Sequence, residues 1–147
     1  MKIRNQFFLF LVVLFSFAFT ANAQSQNVSN DERPKVIKAV APTYPSTAIE
    51  ANYVTTIEIE ADVKQDGKPS NVRTKLVPNR FSPVILQVAA HNAATRWRFD
   101  ETTNKQEKRS VTLTFIFRLS DDATEQGVFF NPPYDVEVVG RSLKIKS

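Results

Sequence analysis

Glu58, Glu60 and Asp62 stand at alternate positions of one short run, three carboxylates on one side of an extended chain. Two carboxyl groups on a common face are the equipment of glycoside hydrolysis, one protonating the leaving oxygen and the other attacking or activating water. The run carries its own counter-argument. After an Asp66-Gly67 turn, Arg73 and Lys75 come back opposite Glu60 and Glu58. A carboxylate held in a cross-strand ion pair stays ionised and makes a poor general acid. The chain has one histidine, His91, and no cysteine, so a metal site of ordinary His/Cys spacing is excluded. No serine sits in a nucleophile-elbow context, and neither glycine-rich phosphate pattern occurs. The expectation is a protein that is not an enzyme and holds no cofactor and no metal.

The elements that position these residues follow from periodicity. Thr55, Ile57, Ile59, Ala61 and Val63 alternate with the acidic row, the period-two pattern of a half-buried strand. Asp66-Gly67 reads as a two-residue hairpin loop. With that loop Ile59 meets Thr74, Ala61 meets Val72, Glu60 meets Arg73 and Glu58 meets Lys75, so both faces agree on one register. A hairpin alone is marginal in water and needs a cover. Ile85, Leu86, Ala89, Ala90, Ala93 and Trp97 supply one as the apolar stripe of a helix, with Ser82 as cap, Pro83 at its first position and His91 on the polar side. Val111, Leu113, Phe115, Phe117 and Leu119 then form a second alternating strand, opposed by Ser110, Thr112, Thr114, Ile116 and Arg118.

The ends read differently. Lys2 and Arg4 precede an apolar run over residues 7–19, and Ala21 and Ala23 fit the small-x-small rule for signal cleavage. Thirteen such residues span roughly 20 Å as a helix, short of a hydrocarbon core of about 30 Å. Residues 1–23 therefore read as a signal peptide and residues 24–41 as a flexible leader. Export places the protein in an oxidising compartment, yet no cysteine is present, so stability rests on the core. The 19 basic residues less Lys2 and Arg4 leave 17 against 15 acidic ones, too small a surplus to argue for nucleic acid. Pro42, Thr43, Tyr44 and Pro45 make an ordered, kinked lead-in, and Ser46 can cap a short helix behind it. In residues 120–147 Tyr134, Val136 and Val138 alternate, Gly140-Arg141 can turn, and Leu143 and Ile145 alternate again, a short hairpin.

The sequence order from Pro42 to Leu119 resembles the C-terminal domain of the TonB family. The resemblance rests on Tyr44-Pro45, the Asp66-Gly67 turn, Ala89-Ala90, Trp97-Arg98-Phe99 and the terminal strand over residues 111–119. It implies an α+β fold of two layers, a three-stranded antiparallel sheet packed on one helix, over residues 42–119. It further implies a periplasmic module that adds an extended receptor segment, the TonB box, to a free sheet edge. The implied contacts are Thr43, Tyr44 and Pro45 with Ser110, Thr112, Thr114, Ile116 and Arg118. The partner is then an envelope protein or receptor peptide, with a homodimer by strand exchange as a further form. The sequence leaves two alternatives standing: a short energy transducer anchored in the inner membrane, and a periplasmic structural or adaptor module. Because the helical connection returns the chain beside the first strand, the 110–118 edge is left open, and residues 134–145 are expected to fold back on it, in cis or swapped between two chains, so that a peptide must displace them.

Overall fold

The two alternating runs become the centre of one sheet. A computed structural model of the chain describes residues 33–104 and 108–143. In it β2 (Thr55–Val63) and β5 (Arg109–Ser120) pair antiparallel from Thr55 opposite Phe117 to Val63 opposite Arg109. Ile57, Ile59 and Ala61 are buried against Val111, Leu113 and Phe115, so the hydrophobic side chains predicted to face one way do so. β3 (Pro69–Lys75) lies on the other side of β2, with Glu58 opposite Lys75, Ile59 opposite Thr74 and Glu60 opposite Arg73 as expected.

Closer to the turn the register differs from the expected one. Lys64 N–H donates to the Lys68 carbonyl at 2.9 Å, which closes a loop of three residues, Gln65, Asp66 and Gly67, where two were expected. Only Gly67 takes a positive φ (72°), whereas the two-residue turn needs one at both positions. The Asp66 carboxylate instead accepts from the Lys68 amide at 3.1 Å and pairs with its ammonium at 2.8 Å. The extra residue is absorbed between Glu60 and Asp62, where the register shifts and Asn71 adopts φ 48°; this bulge replaces the expected Ala61–Val72 pair.

α2 (Val84–Ala94) covers the sheet through Leu86, Ala90, Ala93 and Ala94, and Trp97 extends that buried stripe beyond the helix end. The small side chains let the helix approach closely. Ile85, expected in the stripe, is on its exposed margin. Pro83, not Ser82, stands at the helix cap, and the Ser82 carbonyl accepts from Gln87 Nε2 at 2.7 Å. In the same way Pro45 precedes α1 (Ser46–Glu50), whose Ala48 is fully buried, and no side chain caps it.

The sheet has five strands. After a 3-10 turn (Ala123–Glu125), β6 (Gly127–Asn131) and β7 (Asp135–Arg141) form a hairpin, and β7 pairs parallel with β5, giving the order β3-β2-β5-β7-β6. The hairpin therefore turns at residues 132–134; Gly140-Arg141 lies inside a strand, a correction to the turn read there, and Ile145 falls outside the described residues. Residues 24–41 also need correcting where they are described. β1 (Val36–Lys38) pairs with β4 (Arg98–Phe99), Trp97 Nε1 donates to the Val40 carbonyl at 2.8 Å, and Lys35 and Asp100 exchange two hydrogen bonds. A polar segment without periodicity is thus tied down by backbone bonds that leave no hydrophobic pattern. Residues 1–32, including the cleavage rule at Ala21 and Ala23, lie outside the described residues.

Candidate partner-binding edge

Tyr44 is held at one end of the β5–β7 seam. Its hydroxyl donates to the Tyr53 carbonyl, and its ring meets Phe117 edge-on with centroids 5.2 Å apart. Burial pushes its phenol up to about 12. Thr43 and Pro45 line a shallow groove of about 340 Å³ with Ile85, Val88 and Asn92 of α2 and Arg96 just beyond its end. Thr43, Tyr44 and Pro45 are therefore together, on the helix side of the sheet.

The β5 residues form a second group. Ser110, Thr112, Thr114, Ile116 and Arg118 alternate with the buried row, so they share the sheet face away from α2. They do not form one open edge. β7 pairs with residues 114–120, placing Asp135 beside Thr114, Glu137 beside Ile116 and Val139 beside Arg118. The Arg118 guanidinium donates to Glu137, which holds its pKa above the usual arginine value. Ser110 and Thr112 precede the first residue that pairs with β7. At about 3.4 Å per residue they sit roughly 20 Å from the Tyr44 end of the strand, so the structure does not bring the two groups into one compact site.

The acidic row is fully engaged. Glu60 pairs with Arg73 at 2.8 Å, Glu58 with Lys75 at 3.1 Å and Arg80 at 3.4 Å, and Asp62 accepts from Asn71 Nδ2 at 2.7 Å. Among the described residues no group of three His, Cys, Asp or Glu side chains could hold a metal ion. His91 lies half-buried on α2.

Two features had no sequence signal. Arg109 is the one buried charged residue among those described; it donates to the Asp100 carbonyl at 2.8 Å and pairs with the Asp100 carboxylate. A cavity of about 590 Å³ opens between residues 33–39 and the tip of the β6–β7 hairpin, walled by Pro34, Val36, Trp97, Phe130, Pro133 and Tyr134. The Tyr134 hydroxyl donates to the Pro34 carbonyl at 2.8 Å, joining walls that lie 100 residues apart in sequence. No local pattern reports a contact of that range.

The fold defines an α+β unit, a mostly antiparallel sheet covered by one main helix. Residues 40–119 match the family described as Gram-negative bacterial TonB protein C-terminal, and the chain belongs to that family. It is 26% identical over 99 residues to Protein TonB of Yersinia enterocolitica, an alignment covering 66% of this chain and 35% of the relative. The chain thus spans about a third of that relative's length. A solution structure of the Pseudomonas aeruginosa TonB C-terminal domain aligns over 59% of this chain and 87% of its own, at 19% identity and a TM-score of 0.46. No helix among the described residues is long and apolar enough to cross a membrane.

Proposed function

We propose that the protein is a non-enzymatic periplasmic module that takes up an extended segment of an outer-membrane receptor or another envelope partner by strand addition at β5. The observation that carries this is β7. It lies beyond the family-matched residues 40–119 and is itself an extended segment laid parallel along residues 114–120 of β5. An edge that accepts one strand through backbone bonds makes few demands on the side chains of another. Thr43, Tyr44 and Pro45 border the incoming strand at one end, and Ser110, Thr112, Thr114, Ile116 and Arg118 present the outer face. A partner segment competes with β7, and strand exchange between two copies would use the same pairing.

The test is removal of residues 121–147 followed by titration with peptides from the plug ends of the host's receptors. Affinity rises if β7 holds the site; unchanged or lost affinity in a folded truncation sinks this assignment. Family membership favours one second reading, an energy transducer anchored through residues 1–23. The intact mass of the protein from the host's membrane and soluble envelope fractions separates the two.

A further inference from the structure

Among the described residues β6 is one of the two outermost strands of the sheet, and none of its own residues guards the edge. Its five residues, Gly127–Asn131, contain no lysine, no proline and no charge, the devices that usually blunt an exposed edge. Val128, Phe129 and Phe130 are instead 46, 42 and 49% exposed. The direction of the backbone follows from the ladder. Thr114 N–H donates to the Tyr134 carbonyl and Ser142 N–H to the Ser120 carbonyl, so even-numbered residues of β7 point their amides and carbonyls at β5. Odd-numbered ones point at β6, which makes Phe129–Glu137 a hydrogen-bonded pair and turns the N–H and C=O of Val128 and Phe130 outward.

The same two residues aim their side chains at the helix side of the sheet, because Val128 faces Val138 and Phe130 faces Val136, both buried. Phe130 is also a wall of the 590 Å³ cavity. An open backbone edge and an apolar cavity therefore meet at one residue. The cavity is within the range of small-ligand sites and is large enough for an aromatic or branched side chain. Among the described residues that line it, Arg33 and Lys35 stand against one carboxylate, Asp135.

We infer that β6 and this cavity form a second peptide site, which takes an extended segment with an apolar or aromatic residue in the cavity and an acidic residue beside it. The inference rests on the reading of the protein as a binder of extended peptides, and it places first contact where the β6–β7 hairpin need not be displaced. A second copy of the chain is the competing occupant, and area argues against it. A buried aromatic side chain covers about 150–250 Å², so three side chains about half exposed, on each of two copies, bury roughly 500 Å². Stable interfaces need about 1,200 Å².

The probe is a fluorescein-labelled, end-blocked octapeptide of alternating valine and threonine with a central phenylalanine preceded by glutamate; its lysine counterpart is the charge control. Both are titrated into the full chain, with amide shifts recorded in parallel. The expected result is shifts at Val128 and Phe130, at least fivefold tighter binding of the glutamate peptide, and at least tenfold loss in Val128→Pro. That substitution removes an outward N–H and leaves the bonds to β7 in place. Ala39→Leu, which narrows the cavity without touching the edge, should weaken binding by a similar factor. Undiminished binding in folded Val128→Pro and Ala39→Leu, with a gain on removing residues 121–147, overturns the β6 site and leaves strand addition at β5 standing. No binding to either the full or the shortened chain overturns both. Self-association that Val128→Pro abolishes, without peptide binding, assigns the edge to a second copy and overturns the peptide.

Discussion

Gly140 of β7 runs directly against the ring of Tyr44: a Cβ added at Gly140 would lie 3.1 Å from Tyr44 Cδ1, with Ile49 Cδ1 and Leu119 Cδ2 each at 3.2 Å. The absent side chain is what lets β7 close over the Tyr44 end of β5. Gly140 has ordinary strand geometry, so its role is space and not conformational freedom. Gly140→Val should overpack this corner, at a cost of about 1–3 kcal/mol, because three side chains must yield at once. Hydrogen exchange should speed up through residues 135–141 and leave β2 and β3 protected. Uniformly unchanged exchange would show that the corner can open without loosening the hairpin.

The contrast between Glu58–Lys75 and Thr114–Asp135 shows what the sequence discloses. The first pair sits across a short loop, with hydrophobic alternation on one face and opposite charges on the other, so two independent patterns set its register. The second joins strands in the parallel sense, and the apolar alternation of β7 hinted at it. Strand order left the 110–118 edge free to receive that segment, but neither the parallel sense nor the register was given. The β1–β4 pair was invisible because its stability comes from backbone bonds and from Trp97 reaching Val40. Trp97 itself was legible as core, since helical spacing explains its burial. Of the candidate site, the Thr43–Tyr44–Pro45 lead-in and the outward row of β5 were readable residue by residue. The cavity and the Arg109–Asp100 pair were not, because each depends on contacts between distant segments; the fold-back of residues 134–145 onto the β5 edge was expected from the strand order, but not its register.

The turn at Gly67 gives a second prediction. Its φ is +72°, and an added Cβ would fall 2.0 Å from the Phe99 carbonyl oxygen, inside any tolerable contact. The Gly67 carbonyl meanwhile accepts from Phe99 N–H at 2.9 Å, so the β2–β3 turn is bonded to β4. Gly67→Ala carries both left-handed strain and a clash with backbone. Urea denaturation should show a loss of about 2–4 kcal/mol, well above the usual cost of alanine at a strained but roomy glycine. A loss below about 1 kcal/mol would mean that the turn and β4 separate easily.

Asp100 acts on two segments at once. Its carboxylate pairs with Arg109, whose side chain is 4% exposed, and accepts from the Lys35 amide at 2.8 Å. Removing one partner of a buried pair leaves the other poorly compensated. The Arg109 guanidinium keeps the Asp100 carbonyl as an acceptor and the Asp100 side chain is 35% exposed, so Asp100→Ala should cost about 2–3 kcal/mol, less than breaking a fully buried pair. Adding Arg109→Leu should recover part of that loss, and exchange over residues 35–40 should speed up in both variants. Full additivity of the two substitutions would argue against the pairing as the source of the cost.

Tyr44 makes the protein sensitive to alkali in a defined window. Burial raises its phenol from the ordinary value of 10 to about 12 in the folded chain. A group whose pKa is raised on folding contributes stability that is complete below its unfolded value and is lost as pH climbs through the folded one. Stability should therefore fall between pH 10 and 12, as the unfolded chain ionises a tyrosine that the fold keeps neutral. Burial raises Tyr134 in the same direction and steepens the decline. Lysines titrate in this range too, so the informative quantity is the difference between wild type and Tyr44→Phe. At pH 7 the variant should be less stable by about 1 kcal/mol, the worth of the hydrogen bond to the Tyr53 carbonyl. Above pH 10 the two denaturation curves should converge, because the variant has no phenol to ionise. Parallel curves from pH 7 to 12 would mean that Tyr44 ionises as readily in the fold as in the unfolded chain.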